Sequence, residues 1–288
     1  MKKSDLVITA ILFIAAAITF NSMIRKDDRS VKLTRTDQIG VIPVQGVIID
    51  SESFVRDLNK MASNKDIKAI ILHINSPGGG TAASQEMYYA IKKIKENHEF
   101  PIVSVLSSLG ASGGYYLALA TDSIYAMPGT MTGSIGVIMD FPEWTEAMEK
   151  IGIRMNVVKS GEYKDTGAPY REFTEIDMAY YQDLVNDVYD QFITSVAESR
   201  HMDKSRVEKL SDGKVYSGRQ ALNLGLIDHI GTLQDAIDDL TRQLMLSEKP
   251  QIIRPKEEKN TLYNFIFGDI KGWIGSFVST PTVQMIFK

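Results

Sequence analysis

Three short glycine-rich stretches carry most of the chemistry this sequence could do. The first, Asn75-Ser76-Pro77-Gly78-Gly79-Gly80, follows the apolar run at residues 69–74. Adjacent glycines let backbone N–H groups converge without obstruction by Cβ, as binding of an anion or a developing oxyanion requires. No Gly-Lys-Ser/Thr ending follows, which argues against a phosphate-binding P-loop; on its own the stretch also suits a plain turn. The second, Gly110-Ala111-Ser112-Gly113-Gly114, lies between the apolar runs 102–106 and 115–120. A serine at a strand-to-helix junction presents its Oγ at the positive end of the helix, and the amide of Gly113 can face an oxyanion. The pattern fits Gly-x-Ser-x-Gly, the nucleophile elbow of α/β-hydrolases, although that pentapeptide is common. The third, Thr132-Gly133-Ser134-Ile135-Gly136, offers another hydroxyl.

A nucleophilic serine needs a base. Only four histidines are present: His73, His98, His201 and His229. His73 interrupts an apolar strand pattern, His98 lies in a charged turn, and His201 follows a long helical pattern. A triad in the order Ser, Asp, His would draw on His201 or on His229, which adjoins Asp228. The other option is Lys164, within Ser160-Gly161-Glu162-Tyr163-Lys164-Asp165-Thr166-Gly167. For a lysine to serve as base at neutral pH, burial must lower its pKa from ~10.4 toward ~7–8. Glu162 and Asp165 oppose that shift unless they point away or pair elsewhere.

The elements that must position these residues alternate in type. Strand candidates are residues 39–49, 69–74, 102–106, 135–139 and 154–158, short apolar runs suited to strands buried on both faces. Ala83, Met87, Ile91 and Ile94 recur at helical spacing. Thr174 and Asp177 form a capping box ahead of a long helix whose apolar stripe is Tyr181, Leu184, Val185, Val188, Phe192 and Val196. Alternating β and α elements predict an α/β domain around a largely parallel sheet.

The 288 residues carry 32 basic and 36 acidic side chains, a formal charge of −4, with 44% apolar and 24% charged residues. That balance excludes wholesale disorder and a multi-span transporter and argues against nucleic-acid binding. The absence of cysteine excludes a thiol nucleophile, disulfides and Cys-ligated metal. Residues 6–24 are almost entirely apolar and uncharged, enough for roughly 28 Å of helix at ~1.5 Å per residue. A cleaved secretory signal ending near Ala15–Ala17 is the alternative, but the run continues beyond it, so a retained membrane anchor at 1–24 and a polar linker at 25–37 are expected. Lys2 and Lys3 precede the run, while Arg25, Lys26, Arg29, Lys32 and Arg35 follow it. Taken literally, the positive-inside rule would keep the remainder cytoplasmic. Residues 38–247 form the expected catalytic domain. The segment 248–288 is an apolar tail that either packs on this domain or contacts a subunit or the membrane.

Taken together, NSPGGG at 75–80, ASGGYY at 111–116, TGSIGV at 132–137, SGEYKD at 160–165 and DGKVYSGRQA at 212–221 resemble the signal peptide peptidase A family in its short, single-domain form. The resemblance covers residues 38–240 and carries nothing over to the tail. It implies that Ser112 is the nucleophile and Lys164 the general base of a Ser/Lys dyad. It further implies that Ser134 hydrogen-bonds the lysine and that the amides of Gly79 and Gly113 form the oxyanion hole. The implied fold is Clp-protease/crotonase-like, in a ring-shaped homo-oligomer with the sites inside. The implied role is that of a membrane-tethered, extracytoplasmic serine endopeptidase degrading remnant signal peptides and other short apolar peptides, without metal or organic cofactor. Three rival readings are an esterase using Ser112 with a histidine base, a non-catalytic membrane scaffold, and a crotonase-like acyl-CoA enzyme that would leave the Ser112–Lys164 pair unexplained.

Overall fold

The computed structural model describes residues 37–246, 249–256 and 284–286, within one compact unit that begins at Asp37. The expected anchor at residues 6–24 lies outside the described residues, among which no helix is long and apolar enough to cross a membrane.

Three strands with near-continuous apolar sequence make the centre: β1 (Gln38–Gln45), β2 (Ile67–Ser76) and β4 (Ile102–Ala111). They pair in parallel, with Val41 opposite Ile71 and Ile71 opposite Val103. Such strands need cover on both faces. On one face Ile70, Leu72 and Ile74 pack against α1 (Glu52–Ala62), α2 (Thr81–Asn97), α3 (Gly113–Ala118) and α5 (Glu175–Arg200). On the other, Ala69 and Ile71 meet Ala236, Ile237 and Leu240 of α8 (Leu233–Gln243). The described sheet runs β7 (Val215–Ser217), β6 (Met131–Gly133), β4, β2, β1, β9 (Gln251–Ile253), with β5 (Ser123–Ala126) joining β4 to β8 (His229–Ile230). Among the described strands of this sheet the edges are β7, β8 and β9, and only the β6–β7 pair is antiparallel. A separate two-stranded ladder joins β3 (Gly78–Gly80) to β10 (Gln284–Ile286). Short helices α4 (Thr145–Lys150), α6 (Lys204–Leu210) and α7 (Gly218–Leu224) complete the order.

The α/β class and the mostly parallel sheet agree with expectation, and the capping box of Thr174 and Asp177 starts α5. Two expected strands do not form as such. Of residues 135–139 only Ile138 makes a β-bridge, to Gln284. Residues 154–158 form no ladder, and Met155, Val157 and Val158 are exposed. A strand is stable only where a neighbour takes its N–H and C=O groups, and none in the described residues runs beside this segment. Along α5 the stripe is buried at Val188, Phe192 and Val196 but exposed at Leu184, because its first half projects beyond the core.

Beside the starts of β5 and β8, Arg200 grips Asp228 through Nη1 and Nη2 at 3.0 and 2.6 Å, and the amide of Ile124 adds a third bond at 2.8 Å. Burial opposes ionisation of Asp228, but these donors outweigh it and hold the carboxyl below the ordinary range. A carboxylate held low stabilises the fold above its unfolded value near ~3.9, and that contribution is lost as pH falls through the folded value. Asp228→Asn is therefore expected to lower stability at pH 7 by about 2 kcal/mol. The difference from the parent should shrink below about pH 4, as measured by urea unfolding at both pH values; a pH-independent difference would refute the ion-pair account.

Candidate active site

The three glycine-rich stretches sit at the carboxyl ends of β2, β4 and β6, neighbours in the sheet. Loops at that edge of a parallel sheet are the usual place for a site. The β2–β4 register slips between Ile74 and Ser76, so that Ser76 comes opposite Gly110. Beyond the slip, β4 pairs with β6 and delivers Ser112 between the other two stretches.

Ser112 has φ 51° and ψ −117°, and is fully buried. A non-glycine residue there stores about 1–3 kcal/mol of strain and persists only where its surroundings impose it. The surroundings are specific. The Ser112 amide donates to Gly133 O at 2.8 Å, and its carbonyl accepts from Tyr116 at 2.8 Å. All six residues of α3 are buried. The Tyr115 hydroxyl donates to Leu226 O at 2.6 Å, and burial pushes this phenol's pKa upward, so it stays a donor. The Tyr116 ring lies 4.9 Å from Tyr88 and 5.0 Å from Phe192. Ser112 Oγ makes neither a helix cap nor any hydrogen bond among the described residues. An unpartnered buried hydroxyl is unusual and open to a reacting group.

The first stretch forms β3, which bridges Ile48 on one side and β10 on the other. Gly80 donates to Ile48 O and Ile48 to Gly78 O, both at 2.8 Å. A Cβ on Gly79 would stand 2.0 Å from Ile48 O; one on Gly78, where φ is +95°, would stand 2.1 Å from Met285 O and 2.5 Å from Gly113 N. Gln284 exchanges both backbone hydrogen bonds with Ile138, each 3.0 Å. Successive residues of a strand turn their polar groups to opposite sides, so Met285 turns its N–H and C=O to Gly79, its partner in the ladder. The Met285 carbonyl thus points at the Gly79 amide beside Gly113, and its side chain is fully buried. An apolar tail gives no signal in the sequence for this placement, because any buried strand would read alike.

The structure does not bring Lys164 to Ser112. Lys164 lies in a 3-10 turn (Glu162–Asp165), is exposed, and its side chain makes no bond among the described residues. Ser134 is buried near Ser112's anchor at Gly133, with φ 48° and its amide on Lys214 O at 2.9 Å. None of the four histidines bonds Ser112 Oγ. His73 shares the face of Ala69 and Ile71, away from α3; burial, then the charge of Arg254, lowers its pKa. His229 is exposed with its ring 4.5 Å from that of Tyr125, and His201 is exposed at the end of α5. No cluster able to hold a metal occurs among the described residues.

Residues 94–247 match peptidase family S49, more than half of the 288-residue chain. The chain belongs to peptidase family S49. Residues 31–133 also match the Clp protease family, consistent with the mostly parallel sheet. An Enterococcus faecium protein that carries the name of a signal peptide peptidase, SppA, is 34% identical over 251 residues, 83% of this chain and 70% of its own length. Serine protease SPPA of Arabidopsis thaliana chloroplasts is 33% identical over 258 residues, 85% of this chain and 38% of its own. Protease 4 of Haemophilus influenzae is 32% identical over 211 residues, 70% and 34% respectively. The S49 member described here is thus a serine peptidase of SppA-like type, which sets aside the scaffold and acyl-CoA readings.

In this S49 peptidase the close approach of Gly79 to Ile48 predicts that Gly79→Ala displaces β3 from the Met285 carbonyl. Were the Gly79 amide a donor to an oxyanion, its displacement would lower kcat for a peptide substrate about 100–1000-fold while far-UV circular dichroism stays that of the parent. Full activity in this variant would separate Gly79 from catalysis.

Proposed function

We propose that Ser112 is the nucleophile and Lys164 the general base, with oxyanion donors at the amides of Gly79 and Gly113 and with Ser134 orienting the lysine. Neutral Lys164 takes the Ser112 proton as Oγ attacks a peptide carbonyl, and the oxygen's charge rests on the two amides. Collapse of the tetrahedral species releases the amine, which takes the proton from Lys164. Water then repeats the sequence on the acyl-enzyme and frees the acid. No cofactor enters this cycle.

The observation that carries the reading is the seat of Met285. An extended backbone lies between Gly78–Gly80 and Ile138, directing one carbonyl at Gly79 beside a buried, strained and unpartnered Ser112. A peptide substrate would add as a strand in this slot, its hydrogen bonds indifferent to sequence and its buried side chain setting preference. Met285 occupies that apolar position here, which supports short apolar peptides, remnants of signal peptides among them, as substrates. The name of the Enterococcus faecium relative supports the same class.

Lys164 reaches Ser112 in a ring of identical subunits, where a neighbour contributes it. Support comes from the exposed apolar residues flanking the lysine turn: Ile153, Met155, Val157 and Val158 before it, and Ile176, Met178, Tyr180 and Leu184 on α5. Exposed apolar surface on this scale marks an interface. The ring is tethered by residues 6–24 with its catalytic domain on the extracytoplasmic side.

Ser112→Ala and Lys164→Ala are each expected to lose activity about 1000-fold or more. Mixed together and reassembled, the two inactive variants should regain part of the parent rate, since some sites then pair an intact serine with a neighbour's intact lysine. No recovery would place the lysine within its own subunit, and full activity of Lys164→Ala would restore a histidine-based esterase. Because residues 284–286 fill the substrate slot, deletion of residues 284–288 should raise kcat/KM for added peptides; an unchanged value would show that the tail leaves the slot in solution.

A further inference from the structure

Lys164 is followed directly by a carboxylate, Asp165. A free carboxylate within ~4–6 Å favours the ammonium form of a lysine by about 1–3 pH units, against its use as a base. The structure takes this carboxylate elsewhere. Asp165 Oδ1 accepts from Lys159 Nζ at 2.8 Å and lies 3.3 Å from Arg171 Nε, with the Asp165 side chain only 9% exposed. Arg171 continues to Asp177, its two terminal nitrogens meeting the two carboxylate oxygens at 2.5 and 2.8 Å. Its Nε also donates to the Asp165 carbonyl at 3.2 Å. Asp177 is the residue whose Oδ2 accepts from the Thr174 amide and hydroxyl, at 2.9 and 2.8 Å, to start α5. One guanidinium therefore joins the lysine turn to the first turn of a 26-residue helix and neutralises the carboxylate beside the lysine.

Lys159 shares the neutralisation of Asp165, but of these two cations only Arg171 also ties the turn to the start of α5. Lys159 also donates to the Glu162 carbonyl at 3.0 Å, while the Glu162 side chain is exposed. Glu172 meets Arg171 through its backbone carbonyl, at 3.0 Å. From α5, Tyr180 lies against the Tyr163 ring at 5.3 Å and the Tyr181 hydroxyl donates to Thr166 O at 3.0 Å. The hydrogen bond from Lys159, with the charges of Lys159 and Arg171, outweighs burial and holds the Asp165 carboxyl below its ordinary range. It thus stays anionic at any pH where a lysine could act as base.

We propose that Arg171 is a positioning residue for the dyad, fixing the turn that carries Lys164 to α5 and keeping the Asp165 carboxylate away from the lysine amine. The proposal rests on the reading of Lys164 as general base. A lysine at 171 would supply charge without the planar fork that spans Asp165 and Asp177.

The experiment is the pH profile of kcat/KM for the full-length enzyme and its variants. Arg171→Gln should lower the rate at pH 7 about 10-fold and move the acid limb upward by about one pH unit, as Asp165, left with Lys159 alone and no longer held toward α5, favours the ammonium. Adding Asp165→Asn to Arg171→Gln should bring the limb back down, which a merely structural role would not do. Arg171→Lys should fall between parent and Arg171→Gln. An acid limb in Arg171→Gln that overlays the parent's, or one that Asp165→Asn fails to restore, overturns the proposal. Should Arg171→Gln not fold, Asp165→Asn alone decides: it leaves Lys159 uncompensated and should lower the limb, and an unmoved limb is refutation. If Lys164→Ala keeps the parent's profile, it is the assignment of the base that fails.

Discussion

A β-carbon on Gly79 would overlap the Ile48 carbonyl, and one on Gly78 would overlap both Met285 O and Gly113 N. The contact among these backbones is the constraint from which the rest of the site follows. It brings the backbone that follows two parallel strands close together beside the Met285 carbonyl, which separate helices or side chains would do less rigidly. It also explains why glycine occupies these positions: Gly78 has φ +95°, and Gly79 touches backbone on both sides.

The constraint extends to the serine. A polypeptide that leaves β4 at Ala111 and starts a helix at Gly113 has one residue in which to turn. Ser112 makes the turn at positive φ, at a cost of about 1–3 kcal/mol. The hydrogen bond to Gly133, the buried Tyr115 phenol and the Tyr88–Tyr116–Phe192 cluster hold the conformation against that cost. Met127 and Thr130 brace the start of β6 in the same region through a bond from the Met127 amide to Thr130 Oγ1 at 3.1 Å. Most of the site's geometry is therefore a property of buried packing, and its loops add little of their own.

What could be read in advance divides along physical lines. The central strands were legible because burial on both faces demands continuous apolar runs, as in Ile67–Ser76. The start of α5 was legible because Thr174 and Asp177 satisfy orphan amides locally. The glycine-rich stretches and Ser112 could be placed because backbone convergence has a composition. Residues 154–158 misled, since their apolar alternation is that of a strand whose partner is absent from the described residues. Arg171 could not be singled out, because an arginine in a loop has no pattern until its two carboxylates are seen. Met285 is harder still: long-range pairing between residues 79 and 285 depends on three-dimensional proximity that no local signal encodes. Lys164 was reached through family resemblance rather than from its own surroundings, and its exposure in a single chain shows why residue-level reasoning would have passed it by.

The burial of every residue in the helix behind Ser112 has a consequence for how activity is lost. Segments open locally when they have few buried contacts and exposed hydrogen bonds, whereas core elements open only with the whole domain. Ser112 belongs to the second class, so it has no private route to disorder. Its geometry persists as long as the core does, and reversible damage by heat or denaturant should reach the serine last, after the lysine-bearing turn at the surface has already come loose.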